Sequence, residues 1–509
     1  MKRALISVFD KTNIVPFVKG LTKYGYEIIS TGGTYKKLKE EGIEVLEVSE
    51  ITEFPECFDG RVKTLHPKIH GGILYIRGNE AHEKRKNELD INSIDIVVNN
   101  LYPFKQTVLN KDKTHEEIIE NIDIGGPSMI RAAAKNYKDV AIIVDPADYD
   151  IVLKELEENN EVSFKQRSRL AAKAFTLTAH YDALIAEYFN KIEEREFPEY
   201  MTLTFEKPEI LRYGENPHQK ANVYKEIKCL ENHLVGAEQL HGKALSYNNY
   251  HDSQGALDLI KELTEKPAVV AAKHANPCGV AEAESLELAF KKAFEADPIS
   301  IYGGIVAVNR EVDLETAEQM SKIFLEVVMA PSYSEDALKI LTKKKNIRLL
   351  KMPNIDKSAK KEHTFKSIDG GLLIQNRDLK LIEEFSYPTN RKPTEEEMKS
   401  LMFGWKVVKH AKSNGIVLAK EGATVGVGPG QVSRIWALEN AIKQAKDTKN
   451  SVMASDAFFP FRDCVDAAYK AGITAIIQPG GSVRDQESID ACNEYGIAMI
   501  FTGMRHFKH

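Results

Sequence analysis

Through the first 150 positions, short apolar runs alternate with stretches in which apolar residues recur every three or four positions. Ala4–Val8, Glu27–Thr31, Ile94–Asn99 and Val140–Val144 read as buried strands. A loop and a helical pattern follow each, the signature of a parallel α/β sheet. Lys36–Glu41 reads as one such helix, with Gly42 just past its end. Ser163 opens a much longer helix, and Gln166 three residues on offers the second half of a capping box. Leu170, Ala174, Leu177, Tyr181, Leu184 and Tyr188 then line up as one apolar face. The pattern dissolves into the charged stretch Lys191–Glu196 and meets Pro198, so the chain divides there into residues 1–197 and 198–509.

Beyond that boundary the strand-like runs are Ala268–Ala272, Gly304–Val308, Gly415–Ala419, Val452–Ala454 and Thr474–Gln478. Val269–Ala296 and Ile416–Lys446 share a plan of strand, Gly-containing turn and Ala-rich helix, which suggests two related α/β subdomains. The polar stretch Asp356–Glu362 reads as a surface loop.

Composition narrows the picture. A chain of 509 residues exceeds one ordinary core and fits two to four domains. No apolar run reaches the roughly 20 residues of a membrane helix, and the opening Met1–Asp10 turns polar too soon for a signal peptide. The expected location is the cytoplasm. Five scattered cysteines, none in a Cys-x-x-Cys pair, argue against a disulfide framework and against a thiolate zinc site; no metal is expected. A net charge of −6 argues against nucleic acid as a partner. A small anionic molecule met by local positive groups fits better.

Several segments could meet one. Ser30-Thr31-Gly32-Gly33-Thr34 follows a strand and opens a helix; it is either a phosphate cradle or a plain strand-to-helix turn. Arg61-Val62-Lys63-Thr64-Leu65-His66-Pro67 gathers two cations, a hydroxyl and an imidazole in a loop. Asp123-Ile124-Gly125-Gly126-Pro127-Ser128 exposes a helix start, with Arg131 and Lys135 four apart on one face. Arg212–Gln219 and Tyr247–Asn249 are dense in polar and aromatic groups. Lys273-His274-Ala275-Asn276-Pro277-Cys278-Gly279 ends a strand with a cation beside a proton acceptor. A deaminase-type zinc site would need a second cysteine where Ala281 stands. Gly426-Val427-Gly428-Pro429-Gly430 lacks dinucleotide-loop spacing, while Ser433-Arg434 could grip a phosphate. Ser455–Asp463 combines aromatic surface with charge, and the terminal cation Arg505 is either mobile or docked.

In order along the whole chain, these motifs resemble those of one family: the bifunctional purine enzymes that are both phosphoribosylaminoimidazolecarboxamide formyltransferase and IMP cyclohydrolase. The resemblance runs from Ser7-Val8-Phe9-Asp10-Lys11 through Asn100-Leu101-Tyr102-Pro103-Phe104 to Arg505. It implies an N-terminal methylglyoxal-synthase-like parallel-sheet domain and a C-terminal domain of two cytidine-deaminase-like α/β subdomains without zinc. It also implies a homodimer and 10-formyltetrahydrofolate as co-substrate. Carried over by position, Lys63, Tyr102, Asp123 and Lys135 are the cyclohydrolase centre. Ser7, Lys11, Thr31, Gly32, Gly33, Thr34, Arg61, Thr64, Asn100, Gly125 and Gly126 surround its substrate. Lys273 and His274 are the transformylase centre; Arg212, Tyr213, Asn249, Tyr302, Asn414, Arg434, Phe458 and Arg505 bind its substrates. Tyr302 stands where some members have Phe. Two other readings compete: a triose-phosphate lyase, which leaves the second half without a task, and a nucleotide-sensing module, which has no need of proton-transfer groups.

Overall fold

The structure, a computed structural model, describes residues 2–58, 60–357 and 363–509. From Ser358 onward the loop expected over Asp356–Glu362 lies outside the described residues. The chain forms two compact units: Met1–Phe205 with Glu226–Lys228, and Glu206–Lys225 with Cys229–His509.

The first unit is built on five strands: β1 (Lys2–Val8), β2 (Tyr26–Ser30), β3 (Leu46–Glu47), β4 (Ile96–Asn100) and β5 (Ala141–Ile143). They lie in the order β3-β2-β1-β4-β5, and every pair is parallel. The chain winds one way from β1 to β3 and the other way to β4 and β5. A crevice therefore opens beyond the carboxyl ends of β1 and β4, where such sheets bind ligands. The apolar runs read from the sequence are these strands, and the short edge strand β3 escaped the pattern. The helix after β2 begins at Gly32 rather than Lys36, because Gly32 accepts a φ of +56° and lets the helix start directly on the strand. The long helix spans Phe164–Ile192, and the Ser163 side chain accepts the Gln166 N–H. The reciprocal half of the expected capping box is absent. Glu155 takes that place, accepting from the Ser163 N–H at 2.8 Å and the hydroxyl at 3.0 Å. The predicted apolar face holds: Leu170, Ala174, Tyr181 and Leu184 are buried.

In the second unit, β6 (Glu206–Ile210) and β7 (Asn222–Lys225) form a hairpin, as do β14 (His363–Ile368) and β15 (Gly371–Asn376). The main sheet has eleven strands. These are β8 (Glu238–His241), β9 (Ala268–Lys273), β10 (Asn276–Glu282), β11 (Gly304–Val308), β12 (Leu325–Ala330), β13 (Arg348–Lys351), β16 (Ile416–Lys420), β17 (Ala423–Gly428), β18 (Val452–Ser455), β19 (Ala475–Gln478) and β20 (Ala498–Phe501). Their order is β20-β19-β18-β16-β17-β10-β9-β11-β12-β13-β8. Two five-stranded halves meet at the antiparallel β10–β17 pair, and β8 adds an edge strand beyond β13. Each half runs helix, hairpin, helix, then three strands separated by helices.

The expected plan of strand, turn and helix was one strand short. Asn276–Glu282 and Ala423–Gly428 are the second arms of hairpins, although their Pro and Gly content reads as turn. The glycines serve close packing: a Cβ on Gly428 would lie 1.9 Å from the Ala437 carbonyl oxygen of the following helix. Strand residues alternate between faces. Ala268, Val270 and Ala272 join one core beneath the helices Tyr247–Ile260 and Glu395–Val408, whereas Val269 and Ala271 face a different core.

A largely buried charged cluster sits just past the C-terminal ends of those two helices. Lys409 Nζ lies 2.8 Å from Glu262 Oε1, and His410 Nε2 lies 3.3 Å from the same oxygen. Burial alone would raise the Glu262 carboxyl, but the hydrogen bonds from His410 and Lys409 outweigh it and hold the group down at about 2. Burial also holds the His410 imidazole below the usual histidine range. Both folded values lie below their ordinary ones, so on acidification the unfolded chain takes up the protons first. This unit is therefore expected to lose stability as pH falls below His410's ordinary 6.5, and again from Glu262's ordinary 4.5 towards 2. Calorimetry across that range checks it; a melting temperature flat down to pH 4 would contradict it.

Candidate active sites

A cavity of about 750 Å³ occupies the switch-point crevice of the first unit. At the end of β2, Ser30 is anchored by a 2.7 Å bond from its hydroxyl to the Ile6 carbonyl. Thr31 caps the next helix without a side-chain bond, leaving the first N–H groups of Gly32–Glu40 open to an anion. Two cations stand over this backbone. A Cβ on Gly32 would lie 3.6 Å from Lys63 Nζ, and one on Gly33 would lie 3.9 Å from Lys11 Nζ. Asn100 holds the Phe9–Asp10 turn beneath Lys11 by accepting both N–H groups, at 2.6 and 2.9 Å, and donating to the Asp10 carbonyl at 2.9 Å. The Thr34 hydroxyl is not free for a ligand. It bonds both the N–H (3.1 Å) and the carbonyl (2.9 Å) of Val8.

The cavity lining also carries titratable groups. Lys63 Nζ lies 2.9 Å from Glu56 Oε2, and Arg61 pairs with Glu120. Asp123 accepts the Gly126 N–H at 2.8 Å, and a Cβ on Gly126 would lie 2.4 Å from its other carboxylate oxygen, so a side chain there would displace the carboxylate. Burial raises the Asp123 carboxyl above its usual range, against the bonds from the Gly126 and Tyr102 N–H groups. Tyr102, half exposed, meets Phe9 edge-on at 6.0 Å. Ser7, Lys11, Thr31–Thr34, Arg61, Lys63, Thr64, Asn100, Tyr102, Asp123, Gly125 and Gly126 thus line one cavity. Lys135 does not. It is exposed at the far end of the helix Gly125–Lys135, about 15 Å along the axis at 1.5 Å per residue. Asn99 and Glu120 also line the cavity and were not expected to.

In the second unit, Lys273 ends β9, as expected, and His274 follows it directly. They sit at the tip of the antiparallel β9–β10 hairpin. Its two linking residues, His274 and Ala275, have φ of 54° and 59°, as a type I′ turn requires. Asp252 Oδ2 fixes the turn by accepting the His274 N–H at 3.0 Å, and Lys273 Nζ donates to the Tyr302 carbonyl at 2.9 Å. His274, Arg212, Tyr213 and Asn249 line a cavity of about 610 Å³, together with Lys243, His251, Arg348 and Lys412, which were not expected. Half of the Asn249 carboxamide is committed, because its oxygen caps the Ser246 N–H at 3.0 Å. The mostly exposed Tyr302 packs near Phe324.

The remaining expected residues gather elsewhere. Arg434 is buried and bonds Asp456 at 2.5 Å, Ser455 at 2.8 Å and Asn414 Oδ1 at 2.6 Å. The Asn414 amide nitrogen donates to the Gln431 carbonyl at 2.8 Å. Arg434 is thus held by internal partners rather than free at a phosphate loop. Phe458 is part-exposed while Phe459 is buried. The C-terminal segment is docked: His506 lies 2.6 Å from Asp378 and donates its N–H to the Asp456 carbonyl at 2.9 Å. Arg505 stacks 4.6 Å over Phe507. Among the described residues no cluster of three potential metal ligands occurs, and no helix is long and apolar enough to cross a membrane. Burial pushes the Cys278 thiol up to about 12, and it donates to the Ala271 carbonyl at 3.4 Å.

Fold and sites together define a two-site α/β enzyme with a cation-lined cavity in each unit. Residues 13–128 match the model of the MGS-like domain, and residues 133–444 match that of the AICARFT/IMPCHase bienzyme. The chain belongs to the AICARFT/IMPCHase bienzyme family. Among its relatives is the bifunctional purine biosynthesis protein PurH of Acetivibrio thermocellus, 59% identical over the full length of both chains. The PurH proteins of Ruminiclostridium cellulolyticum and Caldicellulosiruptor saccharolyticus are 57% and 56% identical, again over the full length of both. A solved structure described as the crystal structure of ForH aligns with 37% of this chain and 97% of its own, at 39% identity and a TM-score of 0.34.

Proposed function

We propose that the chain divides its family's two reactions between its two parts, ring closure in residues 1–197 and formyl transfer in residues 198–509. The chain formylates 5-aminoimidazole-4-carboxamide ribonucleotide from 10-formyltetrahydrofolate and closes the product to IMP. The division rests above all on the convergence of Lys63, Tyr102 and Asp123 with Lys11 and the Thr31–Thr34 helix start in one cavity.

In ring closure the carboxamide nitrogen attacks the formyl carbon of the same molecule, and water leaves. The helix start and Lys11 hold the phosphate. Asp123 orients the amide and takes its proton; its raised carboxyl is a better base than an ordinary one. Lys63 and Tyr102 stabilise the alkoxide and protonate the departing hydroxyl.

In formyl transfer the 5-amino group is a poor nucleophile, since its lone pair is conjugated with the imidazole and the carboxamide. His274 takes its proton as nitrogen attacks the formyl carbon. Lys273, placed at the neighbouring turn, stabilises the oxyanion and assists the departing folate nitrogen.

The chain works as a cytoplasmic homodimer. Two observations support a second copy. The β14–β15 hairpin exposes Phe365, Ile368, Leu372 and Leu373, and an isolated two-stranded hairpin is marginal in water. The expected nucleotide-binding residues also fall into two groups within one chain.

One experiment tests the reading. The protein is given the aminoimidazole nucleotide and 10-formyltetrahydrofolate, with absorbance followed and the mass measured by sedimentation. Tetrahydrofolate and IMP are expected from a particle of twice the chain mass. A lyase or a sensing module would produce neither compound.

A further inference from the structure

Tyr181 belongs to the apolar face of the long helix, yet its hydroxyl does work that packing does not require. The side chain is buried, and its ring meets Phe104 edge-on at 6.0 Å. The hydroxyl accepts the Asp123 N–H at 2.8 Å and donates to the Asn121 carbonyl at 3.1 Å. Asn121, Ile122 and Asp123 form the turn between the helices His115–Glu120 and Gly125–Lys135, and all three line the first cavity. One hydroxyl thus satisfies two backbone groups on the inner side of the turn that carries the carboxylate. On the other side, the carboxylate itself accepts the Gly126 N–H.

We propose that Tyr181 is a positioning residue for ring closure, its hydroxyl holding the Asn121–Asp123 turn so that the Asp123 carboxylate stays aimed into the cavity. The proposal rests on the assignment of ring closure to this cavity. Phenylalanine would fill the same space but leave a part-buried N–H and a carbonyl without this partner. The turn loses the tie that fixes it, and when it shifts it carries Asp123 with it. A shift of about 1 Å in a catalytic group costs on the order of 10²-fold in rate. Binding should suffer less, because the phosphate is held by Lys11 and the Gly32 helix start.

The long helix supplies its own control. Tyr188, on the same face, bonds through its hydroxyl to His115 Nδ1 at 2.9 Å, and neither residue lines the cavity. Full-length Tyr181→Phe, Tyr188→Phe and Asp123→Asn proteins are compared in ring closure of the formylated nucleotide, in tetrahydrofolate release and in melting temperature. Tyr181→Phe is expected to lower kcat for ring closure about 10- to 100-fold with KM within about twofold. Its formyl transfer should stay close to the parent's, and its melting temperature should fall by no more than a few degrees, the cost of two part-buried hydrogen bonds. Tyr188→Phe should close the ring at the parent rate, and Asp123→Asn should fail. Parent kcat in Tyr181→Phe beside a dead Asp123→Asn would overturn the positioning role alone. A fully active Asp123→Asn would remove the underlying reading and this proposal with it. An equal loss in Tyr188→Phe, or a parallel fall in formyl transfer and melting temperature, would make Tyr181 a merely structural residue.

Discussion

Replacing His274 by alanine is expected to lower formyl transfer by about 10²- to 10⁴-fold, the usual contribution of a positioned general base, while ring closure runs at the parent rate. The hairpin tip explains why so much rests on one ring. The backbone is pinned on both sides, by Asp252 at the His274 N–H and by the Asn276 amide, which donates to the His274 carbonyl at 3.2 Å. The imidazole is therefore delivered to the cavity by a fixed main chain. Because residue 274 has a positive φ, His274→Asn is the cleaner companion variant. Asparagine tolerates that conformation but supplies no base. If both variants lose tetrahydrofolate release and keep IMP formation from formylated substrate, lost chemistry rather than a distorted turn is the cause. Loss of both reactions in both variants would contradict separate sites.

The second large effect concerns the other cavity. Lys63→Met is expected to slow ring closure by about 10²- to 10³-fold, the range for removing one charge-stabilising donor. The parent ammonium lies 2.9 Å from Glu56, so its loss also leaves a carboxylate without its cation close to the cavity. Adding Glu56→Gln to Lys63→Met removes that repulsion and should restore KM without restoring kcat. Steady-state kinetics on the formylated nucleotide separate the two terms. Full recovery of kcat in the double variant would reduce Lys63 to a counter-ion.

The strands β1, β2, β4 and β5 were legible because a parallel strand covered on both faces has no polar positions to interrupt it. β10 and β17 were not, since Pro277, Gly279, Gly426 and Gly428 carry the local signal of a turn. Their meaning comes from helices packed against the strand, a long-range fact that no local window contains. The first site was largely legible because its groups come in short local motifs, such as Thr31–Thr34, Arg61–Thr64 and Asp123–Gly126. Tyr181 was hidden, as a hydroxyl at the end of an aromatic ring does not break an apolar stripe. The internal partners of Arg434 were hidden for the opposite reason: an arginine after Gly-rich chain suggests an anion, and Asp456, which it bonds, is buried and distant in sequence.

The duplicated second unit gives one protein two versions of the same hairpin. In the β16–β17 copy the linking residues are Glu421 and Gly422, with φ of 48° and 71°, so glycine takes one of the two left-handed positions. In the β9–β10 copy neither residue is glycine, and a left-handed non-glycine residue costs roughly 1–2 kcal/mol. Repetition makes that burden bearable. The shared sheet holds both turns by the same ladder, one eased by glycine and the other made of two non-glycine residues.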